Sequence, residues 1–182
     1  IDCLLVDIHH APKSEDHLCL EKTIRMPDSM FCYDPPDYAP SVGPLPAKHN
    51  GFITFGSFNN PAKLNDEVMA AWTKILEAVP GSRLLLKYRG IGNYRNRQRL
   101  LSPLETSGLD SSRLILEDQS PHQDLLSRYN EMDVALDTFP YSGGLTTCEA
   151  LWMGVPVITV PGKTFAGRHS LSHLSTVGLS EF

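Results

Sequence analysis

The sequence predicts an α/β fold, a Rossmann-like parallel sheet with helices on both faces. Three observations lead there. From Gly51 onward, short apolar runs alternate with stretches whose apolar residues recur at the helical period. Runs such as Leu84-Leu85-Leu86 and Leu114-Ile115-Leu116 are apolar at consecutive positions, as strands covered on both sides of a parallel sheet are. A glycine pair, Gly143-Gly144, joins one strand to the next helix, and open parallel sheets bind ligands at the carboxyl ends of their strands. With 182 residues, 41% of them hydrophobic, the chain matches one domain of roughly 100–200 residues and can bury a core.

Taken in order, Ile1 to Asp7 reads as a strand. Met26 to Lys48 carries Pro27, Pro35, Pro36, Pro40, Pro44 and Pro46, which withhold backbone donors from a sheet and favour an extended connector. Residues 1–50 are therefore assigned to the end of a preceding lobe and an inter-lobe linker, and residues 51–182 to a ligand-binding lobe. Because the chain opens inside a strand and Leu179-Ser180-Glu181-Phe182 brings no closing helix, both ends read as cut. Phe52 to Gly56 is a strand. Asn65, Asp66 and Glu67 open a helix with apolar positions at Val68, Trp72, Ile75, Leu76 and Val79, and Pro80-Gly81 ends it. Arg83 to Lys87 is the next strand, followed by a polar helix carrying Leu100, Leu101 and Leu104 and ending near Gly108. After the strand Arg113 to Glu117, Ser120-Pro121-His122-Gln123 supplies an N-cap, a proline at the first helical position and a capping-box glutamine. Asp133 to Asp137 and Val155 to Val160 are strands flanking a helix that runs from the glycine turn through Trp152.

The net charge of -5 leaves no broad basic surface, which argues against a nucleic-acid partner, and Lys87, Arg89, Arg95, Arg97 and Arg99 read as a solvated face. No apolar run approaches the ~20 residues of a membrane span, and no signal-peptide pattern opens the chain, so a soluble, cytoplasmic protein without membrane partners is expected. Cys3, Cys19, Cys32 and Cys148 form no C-x-x-C pair and read as reduced thiols buried as small hydrophobes. His9-His10 and His17 lie in an irregular stretch with no carboxylate at fixed spacing, so no metal site is assigned. Gly90-Ile91-Gly92 lacks the third glycine and the downstream acid of the dinucleotide fingerprint and reads as a turn.

The segment Asp137 to Gly154 carries the chemistry. Gly143 and Gly144 remove side chains where a backbone can approach a ligand, and Thr146 and Thr147 place hydroxyls and free N–H groups at a helix N-terminus, which suits phosphate oxygens. Glu149, a turn further on, can accept both hydroxyls of a ribose. Thr146-x-x-Glu149 is equally a capping box, and paired glycines are ordinary turn residues, so capping alone stands beside phosphate binding at this point.

Tyr141-Ser142-Gly143-Gly144-Leu145-Thr146-Thr147-Cys148-Glu149-Ala150-Leu151 resembles the donor-site signature of the O-linked N-acetylglucosamine transferases, bacterial members above all. Phe55 to Lys63 is similar to that family's segment bearing a diphosphate-contacting lysine, and Glu21 to Pro27 to its inter-lobe stretch. The resemblance implies the C-terminal lobe of a GT-B fold, in which two Rossmann-like lobes face a cleft, usually behind tetratricopeptide repeats that bind the acceptor protein. It implies transfer of N-acetylglucosamine from UDP-GlcNAc to Ser or Thr hydroxyls of proteins, with inversion and without a metal or other cofactor, and a lobe that is inactive alone. The expected partners are thus UDP or a UDP-sugar and an acceptor protein.

By the same resemblance Lys63 neutralises the diphosphate as the catalytic cation, with Asn60 beside it. Gly143, Gly144, Thr146 and Thr147 cradle the phosphates, Glu149 meets the ribose, Ser120 and His122 lie at the uracil, and Arg128 matches a family arginine on the same helix. Gly144 and Leu145 stand where animal members carry a histidine and a threonine, so those two donor contacts are missing. GDP-fucose or UDP-glucose is the alternative donor, and a non-catalytic nucleotide-sugar-binding module the alternative of another class.

Overall fold

The computed structural model describes residues 1–181; Phe182, the last residue of the predicted lobe, lies outside the described residues. Strands β1 (Cys3–Val6) and β2 (Lys22–Arg25) pair in parallel as a small separate sheet. Strands β3 (Thr54–Ser57), β4 (Arg83–Lys87), β5 (Leu114–Glu117), β6 (Val134–Leu136) and β7 (Val157–Ile158) form one parallel sheet in the order β5-β4-β3-β6-β7. The chain thus builds outward from β3 in one direction, returns, and builds outward in the other from β6. The loops leaving the carboxyl ends of β3 and β6 diverge at this reversal, which opens a crevice between them.

Helices α1 (Ala47–Asn50), α2 (Asp66–Ala78), α3 (Tyr94–Thr106), α4 (His122–Tyr129), α5 (Leu145–Trp152) and α6 (His169–Thr176) complete the chain. Their ends are chemically marked. The Asn65 side chain accepts the Val68 N–H at 2.9 Å to start α2, and the Arg113 guanidinium closes that helix on the carbonyls of Leu76 (2.7 Å) and Val79 (3.0 Å). The triplet Leu84-Leu85-Leu86 shows why consecutive apolar residues suit a doubly covered strand. Leu84 and Leu86 pack with Val68, Trp72, Leu100 and Leu104 of α2 and α3, whereas Leu85 packs on the opposite face with Leu126, Tyr129, Ala150 and Leu174. Each fully buried leucine is worth about 1.5–3 kcal/mol over an exposed one, so both faces are strongly specified.

Several expectations need correction. Leu125 donates its N–H to the Pro121 carbonyl, making Pro121 the N-cap rather than the first helical residue, and no side chain caps α4. Ser120 is thereby displaced one residue too far to reach the first-turn amides. The last strand is only Val157–Ile158, because it pairs with β6 alone at the sheet edge. Lys87 leaves the solvated basic face, buried on Glu117 and the Asp118 carbonyl, whereas Arg99 stays exposed there while its guanidinium binds the carbonyls of the loop after β3. All four cysteines are free thiols, yet none is fully buried: Cys3 and Cys32 are exposed and Cys19 and Cys148 half-buried, all four outside the two apolar clusters. Among the described residues no helix is long and apolar enough to cross a membrane.

Candidate functional site

The crevice is built from the two loops that leave β3 and β6. After β3, Asn60 accepts the Ala62 N–H at 3.0 Å and so caps a 3₁₀ turn, Pro61–Lys63. Arg99 of α3 holds that turn from behind, donating to the carbonyls of Pro61 and Leu64 at 3.0 Å each. Asn65 ties it forward to the opposite loop through the Phe139 carbonyl at 2.9 Å. Held on both sides, Lys63 reaches across the crevice: its Nζ donates to the Ser142 carbonyl at 2.8 Å and stands 4.0 Å from the centre of the Tyr141 ring. Burial lowers the pKa of this ammonium group while the Asp137 carboxylate works in the other direction.

The second loop is folded by Asp137, the buried residue that follows β6. Its Oδ1 accepts the N–H groups of Thr138 (2.8 Å) and Gly143 (2.6 Å), and its Oδ2 accepts the Thr159 hydroxyl (2.7 Å). Burial pushes the Asp137 carboxyl up, and these hydrogen bonds hold it back. The loop is bent so tightly that a Cβ on Gly143 would lie 2.5 Å from Thr147 Oγ1 and 3.0 Å from Asp137 Oδ1. Gly144 is the reverse case, with open space where its Cβ would stand. Helix α5 starts there without a side-chain cap, and among the described residues none takes up the amides of Gly144, Leu145 or Thr146. Three N–H groups at a positive helix end therefore face the crevice beside Lys63. Thr146 donates its hydroxyl to Asn59 Oδ1 at 3.2 Å, whereas Thr147 points inward, 2.8 Å from the Ser170 hydroxyl of α6.

One turn along α5, buried Glu149 is shared between His122 Nε2 (2.8 Å, on Oε1) and the Tyr129 hydroxyl (3.3 Å, on Oε2). Burial and the adjacent carboxylate raise the Tyr129 hydroxyl well above its ordinary pKa, so it stays a donor. His122 Nδ1 lies 2.9 Å from the Tyr38 hydroxyl of the linker. The structure thus brings Lys63, Gly143, Gly144, Thr146, Glu149 and His122 together, whereas Thr147, expected to offer a hydroxyl and a free N–H, is turned away, its side chain buried on Ser170 and its N–H donated to the Gly144 carbonyl. Asn60 stands at the crevice edge as a cap, and Ser120 precedes α4 with its hydroxyl 3.3 Å from the Pro121 carbonyl. Arg128 is not brought in: it grips Glu117, with Nη2 at 2.6 Å from Oε1, and lies 3.8 Å from Glu131. Asn59, Arg99 and Asp137 shape the site without having been singled out. An aspartate at the exit of an apolar strand, ahead of a glycine pair, was the available signal for Asp137; Arg99 had none.

Residues 45–182 match the model of glycosyl transferase family 41. The chain belongs to this family. The family 41 chain is 45% identical, over 98% of its length, to a Petunia hybrida protein named probable UDP-N-acetylglucosamine--peptide N-acetylglucosaminyltransferase SPINDLY. It is 32% identical over 71% of its length to the Caenorhabditis elegans UDP-N-acetylglucosamine--peptide N-acetylglucosaminyltransferase. It spans 19% of the Petunia protein and 11% of the nematode one. A mutant O-GlcNAc transferase of Thermobaculum terrenum superposes on all of the chain with TM-score 0.89 at 43% identity, the chain covering 34% of that structure. The parallel sheet is that of a GT-B glycosyltransferase lobe, as the resemblance implied. A sucrose-phosphate synthase of Thermosynechococcus elongatus, at 16% identity and TM-score 0.62 over 98% of the chain and 50% of its own, shares the fold.

Proposed function

We propose that the family 41 chain is the donor lobe of an enzyme that transfers N-acetylglucosamine from UDP-GlcNAc to Ser or Thr hydroxyls of proteins, with inversion and without a metal. The observation that carries this reading is Lys63 held over the glycine loop, its ammonium group 2.8 Å from the Ser142 carbonyl and beside the open amides of α5. Departure of UDP places negative charge on the β-phosphate, and a fixed cation with preoriented N–H groups stabilises it where it develops. Such a set supplies positive charge from the protein itself, which is the role a divalent ion plays in other phosphate-transfer sites. The relatives named as N-acetylglucosaminyltransferases support the sugar and the protein acceptor.

In this reading Glu149, about one helical turn along α5 from the glycine loop, takes the ribose, and His122 of α4, bonded to it, lies at the base. For Glu149 to accept a ribose hydroxyl, it exchanges part of its bond to His122 for the ligand, which frees the imidazole toward the base. The test is calorimetric titration of the full-length protein with UDP and with GDP, each with and without EDTA. UDP is expected to bind and EDTA to change nothing. Preference for GDP would point to fucose transfer, and binding of neither would overturn the donor assignment.

A further inference from the structure

A chain of three side chains ends near Lys63. Asp7, buried next to β1, contacts His10 Nδ1 through its Oδ2 at 2.8 Å, and His10 Nε2 in turn lies 2.8 Å from Nδ1 of His169, the first residue of α6. The backbone N–H of His169 donates to Ser142 Oγ at 3.0 Å, and the carbonyl of the same Ser142 receives Lys63 at 2.8 Å. The relay and the cation thus meet at one residue. The His169 ring is framed by Phe31, Phe165 and Tyr141, with ring centres 5.4, 5.7 and 6.0 Å away.

The proton positions follow from the partners. Burial alone would raise the Asp7 carboxyl, yet the amides of His10 and Met30, the Ser172 hydroxyl and the His10 ring hold it well below the usual carboxylate range, so it is an anion. An anion accepts, so His10 carries its proton on Nδ1 and presents a lone pair at Nε2. His169 must then donate from Nδ1, which leaves its Nε2 bare. That nitrogen has no hydrogen-bond partner among the described residues and is not among the enclosed polar atoms.

We infer that His169 is the proton acceptor for the attacking hydroxyl, with His10 and Asp7 as positioning residues that take up the charge; this rests on the transferase reading above. The acceptor oxygen forms its bond to the anomeric carbon as the bond from that carbon to the β-phosphate oxygen breaks, its electron pair leaving with UDP. The hydroxyl proton goes to His169 Nε2, the Nδ1 proton of His169 passes to His10 Nε2, and the positive charge comes to rest beside Asp7. Solvent takes the proton back after product release. Relocation of the charge matters because His169 itself, lowered to about 4 by burial and by neighbouring His10 and Lys63, is a poor place to keep it. The other ionisable groups near the relay are His173 on α6, Asp137 below the glycine loop, and the Arg168–Glu15 pair, which is closed on itself at 2.7 Å.

The test uses the full-length protein, UDP-GlcNAc and an unstructured peptide rich in serine and threonine. His169→Gln is expected to lower kcat roughly 10²–10⁴-fold, the usual loss of a general base, while UDP affinity and donor KM stay unchanged. His10→Phe, which preserves the ring packing, is expected to show the same split. The acid limb of the kcat profile should disappear in both, and added imidazole should restore part of the activity of His169→Ala. Wild-type kcat in His169→Gln, or a loss confined to UDP affinity, overturns the assignment. A wild-type protein that neither binds UDP nor modifies the peptide fails at the donor reading, and the relay falls with it.

Discussion

In the proposed transfer the chemistry turns on Lys63, and its neighbours say what replacing it does. Its ammonium group is held by a carbonyl and an aromatic face while its stem is half-buried, so Lys63→Met keeps the packing and removes only the charge. Transfer by the full-length enzyme is expected to fall by about 10²–10³-fold, the scale seen when a preorganised charge-stabilising group is lost, with melting unchanged; wild-type turnover would remove Lys63 from the site. The two glycines are expected to separate in the same way. Gly143→Ala drives a methyl group into Thr147 and Asp137 and should cost roughly 1–3 kcal/mol of stability, as overpacking does. Gly144→Ala meets nothing, so thermal unfolding should match wild type, while on the proposed donor reading UDP titration should show weaker binding, the new methyl group standing in the space assigned to the phosphates.

Between single residues and the fold lie the short elements that aim the site. The 3₁₀ turn bearing Lys63 is three residues long and cannot hold its own geometry; Asn60, Asn65 and Arg99 hold it. Arg99→Met retains the aliphatic stem but releases the carbonyls of Pro61 and Leu64. We expect kcat to fall about 10-fold through misplacement of Lys63, with stability reduced by no more than about 1–2 kcal/mol for the lost hydrogen bonds, checked by steady-state kinetics and denaturant unfolding on the same samples. Helix α5 gives the complementary lesson. Its N-terminus is left uncapped at a cost that a bound anion can offset, whereas α2 is capped at both ends by Asn65 and Arg113.

On the scale of the whole molecule, residues 1–31 are fastened to α6 through ionisable groups, and this makes stability depend on pH. Burial, with His10 and other neighbours, lowers His169 and His173 from 6.5 to about 4, so between those values the unfolded chain binds more protons and stability falls as the solution is acidified. Asp7 acts below that range: its depressed value contributes stability that is present above about 3.8 and lost as pH falls further. Urea midpoints measured at pH 7, 5.5 and 4.5 should decline steadily, and His173→Phe should flatten the decline. A midpoint constant from pH 7 to 4.5 would contradict it.

The sequence by itself determined the doubly covered parallel sheet, the start of α2 at Asn65 and the glycine loop, because apolar period, capping chemistry and glycine geometry act over a few neighbouring residues. The resemblance of their motifs also singled out Lys63 and Gly143 to Glu149 as one candidate site, and the Lys63 bond to the Ser142 carbonyl brings the two segments together. Helix α6 was hidden because its buried residues include Ser170, Ser172 and His173, whose polar atoms are satisfied by distant partners rather than by a local pattern. Arg128 looked like a ligand until β5 brought Glu117 against it, and Arg99, exposed as expected, showed its bond to the Lys63 turn only once α3 packed behind that turn. Those roles were decided only by the tertiary structure, for a physical reason: a long charged side chain is defined by what stands at its far end, and that partner is set by topology rather than by sequence neighbours.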